Sequence, residues 1–513
     1  MHPLVAVIPL SLDKPSPRDK RADRERLIDG LSRAGIDMPV EITPEMLRAI
    51  PALIRKRDFS ITLVLGILKD RAKVLGFDGA SVYALAVDTG TTNIVASLFD
   101  VKGDKRIGVM ETGNPQIALG PDVLSRVHAA MGGRGGELHR LLIKGINDLI
   151  HKLCKAYGIN CSDIYAAAIA GNTIITHFLL DLPVDNISVE PYIPAAHRFD
   201  FVEPDDVGLD INRNGITYVF PNAGSYVGGD IVAGILSTGL YRHKEPSMLI
   251  DVGTNAEIVL GCDEWIIVGA GAAGPALEGG ISEIGMRASE GAIYNVEISP
   301  LPAHDIRETD KTGEGGHDFV VNLKTIGGAE PAGICGSGVI ELVSELYNSG
   351  IINRQGRFTG TSGRITKING QTGFVIYGSG DKRLIIKDTD IENFLRSKAA
   401  MFASLYVIVK SVGLRFGDIE RIHVSGALGM GINTDKAVSL GMIPDIGRNK
   451  FFASGNSSLK GAEMVLADAK LLPDIDRICE MITYREMNTD GEFMKEFPGA
   501  LFIPHTSPEV LRA

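Results

Sequence analysis

One short pattern occurs twice in this chain, and its recurrence limits the folds open to it. ALAVD (Ala84–Asp88) runs into TGTTN and then IVASLFD, followed by a turn at residues 102–104 and the segment RIGVM. This reads as strand, Gly-rich turn, strand, turn, strand. The stretch from Met248 to Val268, MLIDVGTNAEIVLGCDEWIIV, repeats the order, so Asp88 and Asp251 hold equivalent places. Each copy is followed by a helix-spaced apolar stripe. In the first it is Leu138, Leu141, Leu142, Ile146, Leu149, Ile150 and Leu153, stopping at Gly158; in the second it is Ile391, Phe394, Leu395, Phe402, Leu405, Tyr406 and Val409. A strand ending in glycine comes next in both: the segment from Ala166 to Ala170, running into GNT, and RIHVSGALG (Arg421–Gly429). GGDIVAGIL (Gly228–Leu236) and GNSSLKGAEMVL (Gly455–Leu466) then open a closing helix in each half. Two divergent copies of one αβ unit are implied. The second copy carries an insertion of about residues 301–390, whose Gly-rich alternating segments predict a small β-containing subdomain.

Residues 1–80 form a separate small unit by pattern. An apolar stretch at Val5–Leu10 precedes helix-like segments Arg24–Ala34 and Thr43–Arg55, and a strand candidate at Ile61–Leu68. The latter is far short of the ~20 apolar residues that cross a bilayer, and the N-terminus has neither a basic leader nor a small-residue cleavage site. A cytoplasmic protein is expected. The chain has 513 residues, room for about three domains. Its 52 basic and 63 acidic side chains give a net charge of −11, which argues against general nucleic-acid binding. Its five cysteines are scattered without any C-x-x-C pair, so reduced, mostly buried thiols are expected and no iron–sulfur cluster.

Glycine is abundant, 60 residues against a usual share of ~7%, and much of it lies beside strand-like runs. Turn N–H groups and threonine hydroxyls there can grip phosphate oxygens. A carboxylate cannot touch phosphate directly, but it can hold a hydrated Mg²⁺ that bridges to it. Asp88 with Thr89, Gly90, Thr91, Thr92 and Asn93 makes one such clamp, and Asp251 with Gly253, Thr254 and Asn255 the other. A single D-x-G-T is ordinarily just a hairpin; two in matching order point to one polyanionic ligand. Gly426, Ala427 and Gly429 of VSGALGMG follow a strand where backbone can approach an adenosine or phosphate. Asp230, beside Gly229 at a helix start, is either the base that orients a water or hydroxyl for phosphoryl transfer or a carboxylate stabilised by the helix dipole. Asn172 and His177 lie just past a strand end, with a structural role the better reading for His177. GAGAAG (Gly269–Gly274) fits the dinucleotide fingerprint, but its strand closes a meander rather than opening a βαβ unit, and Pro275 follows at once. The Rossmann reading is therefore rejected.

DTGTTN, DVGTN, the GGD helix and VSGALG resemble the phosphate, connecting-helix and adenosine motifs of the actin, sugar-kinase and heat-shock-chaperone ATPase superfamily (ASKHA). More narrowly, AGNTIITHFLL, GAGAAGPALEGGISEIGM, GICGSGVIEL and GNSSLKGA resemble the reductive activators of corrinoid-dependent methyltransferases and corrinoid iron–sulfur proteins. The resemblance implies an actin-like α/β fold of two ribonuclease-H-like lobes around a nucleotide cleft, with a small N-terminal α+β linker or middle domain. Its implied boundaries are 1–80 for that domain, 81–245 and 246–470 for the lobes, and 471–513 for a C-terminal extension. It further implies ATP and Mg²⁺ as ligands, with Asp88 and Asp251 on the metal and Asp88, Asp230 and Asp251 catalytic. The implied partners are a corrinoid protein and a ferredoxin or iron–sulfur domain outside these residues, and a homodimer, with no membrane or nucleic acid. The implied activity is ATP-coupled reduction of cob(II)alamin to cob(I)alamin. A small-molecule kinase of the superfamily and a nucleotide-gated scaffold are the alternative expectations.

Overall fold

The computed structural model describes residues 3–253, 256–269 with the backbone of 270 and 271, 281–301, 319–360, 362–379, 383–426, 432–487 and 490–512. Its contacts divide into two units, Met1–Ser237 with Ser457–Met481, and Thr238–Asn456 with Ile482–Ala513.

The first unit begins with a four-stranded sheet of order β1-β3-β4-β2, built from β1 (Val5–Ser11), β2 (Val40–Glu41), β3 (Ser60–Ile67) and β4 (Ala72–Phe77). Helices α1 (Asp23–Arg33) and α2 (Pro44–Lys56) lie in the same segment. Thr43 starts α2 by accepting a hydrogen bond from the Met46 N–H, with Pro44 at the first helical position, where its missing donor costs nothing. Leu27, Leu31, Ile50, Ile54, Leu63 and Leu65 form an apolar cluster of this segment's own.

The larger sheet contains β5 (Tyr83–Thr89), β6 (Asn93–Asp100), β7 (Lys105–Gly113), β8 (Ile164–Gly171), β9 (Asp200–Val202) and β10 (Ile216–Val219), in the order β7-β6-β5-β8-β10-β9. The antiparallel meander β5-β6-β7 is joined to β8, which runs parallel to β5. Helices α3 (Val123–Ala129), α4 (Gly135–Tyr157), α5 (Thr173–Leu179), α6 (Pro204–Val207) and α7 (Gly229–Thr238) complete the copy. The apolar stripe of α4 is buried, and Gly158 ends the helix in the left-handed conformation that glycine adopts without a Cβ penalty.

The second unit repeats the plan. Strands β11 (Ser247–Val252), β12 (Ala256–Gly261) and β13 (Ile266–Gly271) form the meander; inserted strands separate it from its parallel partner. The insertion begins earlier than the expected residue 301, because β14 (Ala292–Pro300) pairs with β15 (Phe319–Thr325) and β16 (Gly333–Ile334) in one three-stranded sheet; α8 (Gly336–Asn348) follows. A second small sheet follows, of β17 (Ile365–Ile368), β18 (Gln371–Tyr377) and β19 (Leu384–Lys387), leading into α9 (Asp388–Ser411). With β20 (Arg421–Ser425), β21 (Phe451–Gly455) and β22 (Ile482–Glu486) the main sheet reads β21-β20-β11-β12-β13-β22. Strand order and direction thus match between the units: β5, β6, β7 and β8 correspond to β11, β12, β13 and β20.

The helix Ser457–Ala467, read from sequence as closing the second copy, packs against β5 and β8 of the first unit. Gly461 makes this possible, since a Cβ there would lie 2.2 Å from the Ala233 carbonyl oxygen of α7. No described helix is long and apolar enough to cross a membrane.

Lys398 of α9 is completely buried and donates to the carbonyls of Phe502 at 2.7 Å and Pro504 at 2.6 Å, fastening the C-terminal segment. Burial draws its amine from an ordinary 10.5 down to about 7. Between those values the unfolded chain holds a proton that the folded chain has released, so this group makes folding more favourable as pH rises. Urea titrations between pH 7 and 10 should show the wild type gaining up to about 1.4 kcal/mol per pH unit relative to Lys398→Met. Parallel pH profiles for the two proteins would contradict this.

Candidate functional site

In the first unit the site is built around the end of β5. Asp88 lies opposite Ala170 of β8, half-buried, and its Oδ1 accepts a hydrogen bond from the Ser458 hydroxyl at 2.8 Å. The next residue, Thr89, is buried and turns its hydroxyl to the Ala170 carbonyl at 2.9 Å. Only a glycine fits opposite it: a Cβ on Gly171 would fall 2.1 Å from Thr89 Oγ1.

The turn from Gly90 to Thr92 is held through its carbonyls. Asn114 Nδ2 donates to Gly90 at 2.9 Å, Arg126 Nη2 to Thr91 at 2.6 Å and the Asn114 N–H to Thr92 at 2.8 Å. Asn93 then opens β6, and a Cβ on Gly90 would come within 2.7 Å of its carbonyl oxygen. The Thr91 hydroxyl receives a bond from Asn172 Nδ2 at 3.1 Å. Asn172 is also the N-cap of α5, its Oδ1 accepting from the Ile175 N–H.

Asp230 stands in the first turn of α7, with Oδ1 accepting from the Ile231 N–H at 2.8 Å. Gly229 gives its N–H to the Asn222 side chain at 3.1 Å. Gly228 is the wedge that brings the starts of α5 and α7 together, because a Cβ on it would lie 2.4 Å from Asn172 Cα and 2.7 Å from Asp230 Oδ1. Asp88, Thr91, Asn172 and Asp230 therefore belong to one neighbourhood of linked contacts. His177 does not join it: fully buried, it bonds the Thr173 carbonyl through Nδ1 at 2.7 Å, and burial lowers its pKa.

The second unit holds the counterpart. Asp251, the penultimate residue of β11, lies opposite Ser425 of β20, whose hydroxyl lies within reach of both Asp251 Oδ2 at 3.2 Å and the Gly455 carbonyl at 3.0 Å. Gly426 follows with φ of 73°, where a Cβ would sit 2.4 Å from the Val252 carbonyl oxygen and 2.6 Å from Asp251 Oδ1. The register makes the correspondence explicit: Asp88 faces Ala170 before Gly171, as Asp251 faces Ser425 before Gly426. Among the described residues nothing lies within 4 Å of a Cβ on Gly253, so none of them requires glycine there. Thr254, Asn255, Ala427, Gly429 and most of the loop from Gly269 to Gly280 lie outside the described residues. In GICGSG the role of Gly338 is packing, as a Cβ there would strike the Ile293 carbonyl at 2.1 Å.

Sequence reading missed Asn114, Gln116, Arg126, Ser425 and Ser458. Ser425 and Ser458 lie inside flagged motifs, whereas nothing about GNPQ or LSRVH marks Asn114, Gln116 or Arg126 as neighbours of the turn. Among the described residues no three His, Cys, Asp or Glu side chains gather as a metal cage. Single half-buried carboxylates with hydroxyl partners nonetheless fit Mg²⁺, which takes one or two carboxylates and keeps its remaining positions for water and phosphate.

Two copies of one meander-plus-parallel-strand unit, each with an Asp at the penultimate position of its first strand, define an ASKHA-type fold. A family model described as the C-terminal domain of RACo, the ASKHA domain, matches residues 245–512; models of the RACo middle and linker regions match 83–243 and 1–81. The chain belongs to the RACo family. A solved structure titled a reductive activator for corrinoid, iron–sulfur protein superposes with a TM-score of 0.89 at 37% identity, over 99% of this chain and 80% of that one. The corrinoid activation enzyme RamQ of Eubacterium limosum is 29% identical over 81% of this chain and 69% of its own length. A reductase of a methylated amine-specific Co(II) corrinoid protein from Methanosarcina barkeri is 27% identical, over 78% and 73% respectively.

Gly426→Ala should cost roughly 2 to 4 kcal/mol of stability through positive φ and backbone overlap, while Gly253→Ala stays within about 0.5 kcal/mol. Chemical denaturation of both variants checks this, and equal effects would remove the close-approach argument.

Proposed function

We propose that this protein is an ATP-dependent reductive activator of a corrinoid protein. It couples binding and hydrolysis of Mg-ATP to one-electron reduction of cob(II)alamin to cob(I)alamin. The observation that carries the reading is the register-matched pair of Asp-bearing strand ends, in a chain that the family models match over residues 1–81, 83–243 and 245–512. The electron comes from a ferredoxin or iron–sulfur domain not among these residues.

In this reading Asp88 and Asp251 hold a hydrated Mg²⁺ through their carboxylates. That ion, when bound, offsets phosphate charge as phosphoryl transfer proceeds. The Gly90–Asn93 turn supplies N–H groups and hydroxyls to phosphate oxygens, as Gly253–Asn255 does in the second unit, and Gly426–Gly429 lies on the adenosine side. Asp230 orients the attacking water and accepts its proton. Hydrolysis drives the uphill electron transfer only if the ATP and ADP states differ in affinity for the corrinoid protein, because a ligand shifts an equilibrium solely by its differential binding.

The test is ATP turnover by the purified chain, alone and with a cob(II)alamin-loaded corrinoid protein plus a low-potential reductant, with cobalt oxidation state followed by absorbance. The corrinoid protein should stimulate turnover. Asp88→Ala and Asp251→Ala should each lower the stimulated rate by roughly 100-fold or more, and Asp230→Asn by roughly 100-fold with little change in KM. Turnover stimulated by a metabolite instead would favour a small-molecule kinase. Tight ATP binding without turnover, indifferent to Asp230→Asn, would favour a nucleotide-gated scaffold.

A further inference from the structure

We propose that Arg126 is a positioning residue for phosphate binding: a buried cation behind the Gly90–Thr92 turn that fixes which way its peptide groups face. The inference rests on the functional reading above and names what sets the affinity of that site.

Arg126 has no exposed surface. Among the described residues its hydrogen bonds all go to neutral oxygens: the Gly120 carbonyl at 3.0 Å, Gln116 Oε1 at 3.2 Å and the Thr91 carbonyl at 2.6 Å. The Asp122 carboxylate, four positions before it, favours its charge through space but is hydrogen-bonded in the cap of α3, accepting from the Ser125 N–H and hydroxyl. A guanidinium without a hydrogen-bonded carboxylate is an expensive group to bury, and a structural clip between two loops would need no charge.

The three consecutive turn carbonyls, of Gly90, Thr91 and Thr92, are all engaged by Asn114 and Arg126. These peptide units are trans, the cis bonds among the described residues being at Glu190-Pro191 and Ile503-Pro504. In a trans unit the N–H points opposite to its C=O. Holding the carbonyls toward Asn114 and Arg126 therefore aims the N–H groups of Thr91, Thr92 and Asn93 the other way. The cation adds a second effect: a charged donor on the Thr91 carbonyl polarises that peptide and strengthens the Thr92 N–H as a donor. Gln116 braces the arrangement, its Nε2 bonded to the Leu138 carbonyl of α4 at 2.9 Å.

Affinity for phosphate, and not for the nucleoside, should then depend on Arg126. Calorimetry with Mg-ATP and with adenosine separates the two. Arg126→Gln is expected to weaken Mg-ATP binding by roughly 10- to 100-fold, the scale of hydrogen bonds to a charged group, with adenosine affinity unchanged and KM rising more than kcat falls. Arg126→Lys, which keeps the charge but not the fork, should recover part of the loss. Asn114→Ser serves where Arg126→Gln does not fold; it leaves the cation and removes the donor to Gly90, and a phosphate-specific loss is again expected. Wild-type Mg-ATP affinity in a folded variant, or an equal loss for adenosine, would overturn the inference alone. A wild type that binds no Mg-ATP would overturn the functional reading and this inference with it.

Discussion

Both halves depend on backbone approaching a strand end more closely than a side chain permits. At the last residue of β8 beside β5, and at the first residue past β20 beside β11, only glycine fits: Gly171 against the Thr89 hydroxyl, Gly426 against the Val252 carbonyl and Asp251. Removing one methyl's volume at each place sets the neighbouring Asp and the turn after it. Gly90 and Gly228 extend the same device, to the turn itself and to the meeting of α5 with α7. Much of the chain's glycine excess near the site is thus a packing requirement at carboxylate-bearing strand ends, rather than looseness.

A buried basic side chain is the other recurrent element. Arg126 and Lys398 are both sequestered from water, and burial lowers the pKa of each, that of Arg126 to about 10. Each is surrounded by carbonyl oxygens, which turn a desolvated nitrogen donor into a multi-armed clamp on otherwise irregular backbone. One clamp orders the segment around Phe502 and Pro504; the other orders the turn after Asp88. Neither segment has a regular ladder to hold it, so a side chain that donates several bonds at once replaces one.

The repeat itself was legible because it is written in local terms: apolar alternation, D-x-G-T turns, 3.6-residue stripes and glycine stops. Strand β5, helix α4 with its Gly158 end and helix α9 all follow from such patterns within a residue or a few. Short strands such as β9, and the edge strand β22, were not legible, because three to five residues carry too little periodicity to distinguish a strand from a loop. The carboxylates Asp88, Asp230 and Asp251 were also legible as candidates, since each stands beside a glycine signal.

What the amino-acid order determined by itself was therefore the duplicated αβ plan and the family resemblance that goes with it. Tertiary structure alone decided who supports those residues. Ser458, 370 positions from Asp88, reaches it because the helix after β21 joins the first unit's sheet. Arg126 and Asn114 reach the Gly90–Thr92 turn because β7 and α3 fold back behind it. Periodicity and turn propensity act over a handful of residues, whereas a hydrogen bond between distant positions depends on how sheets and helices pack.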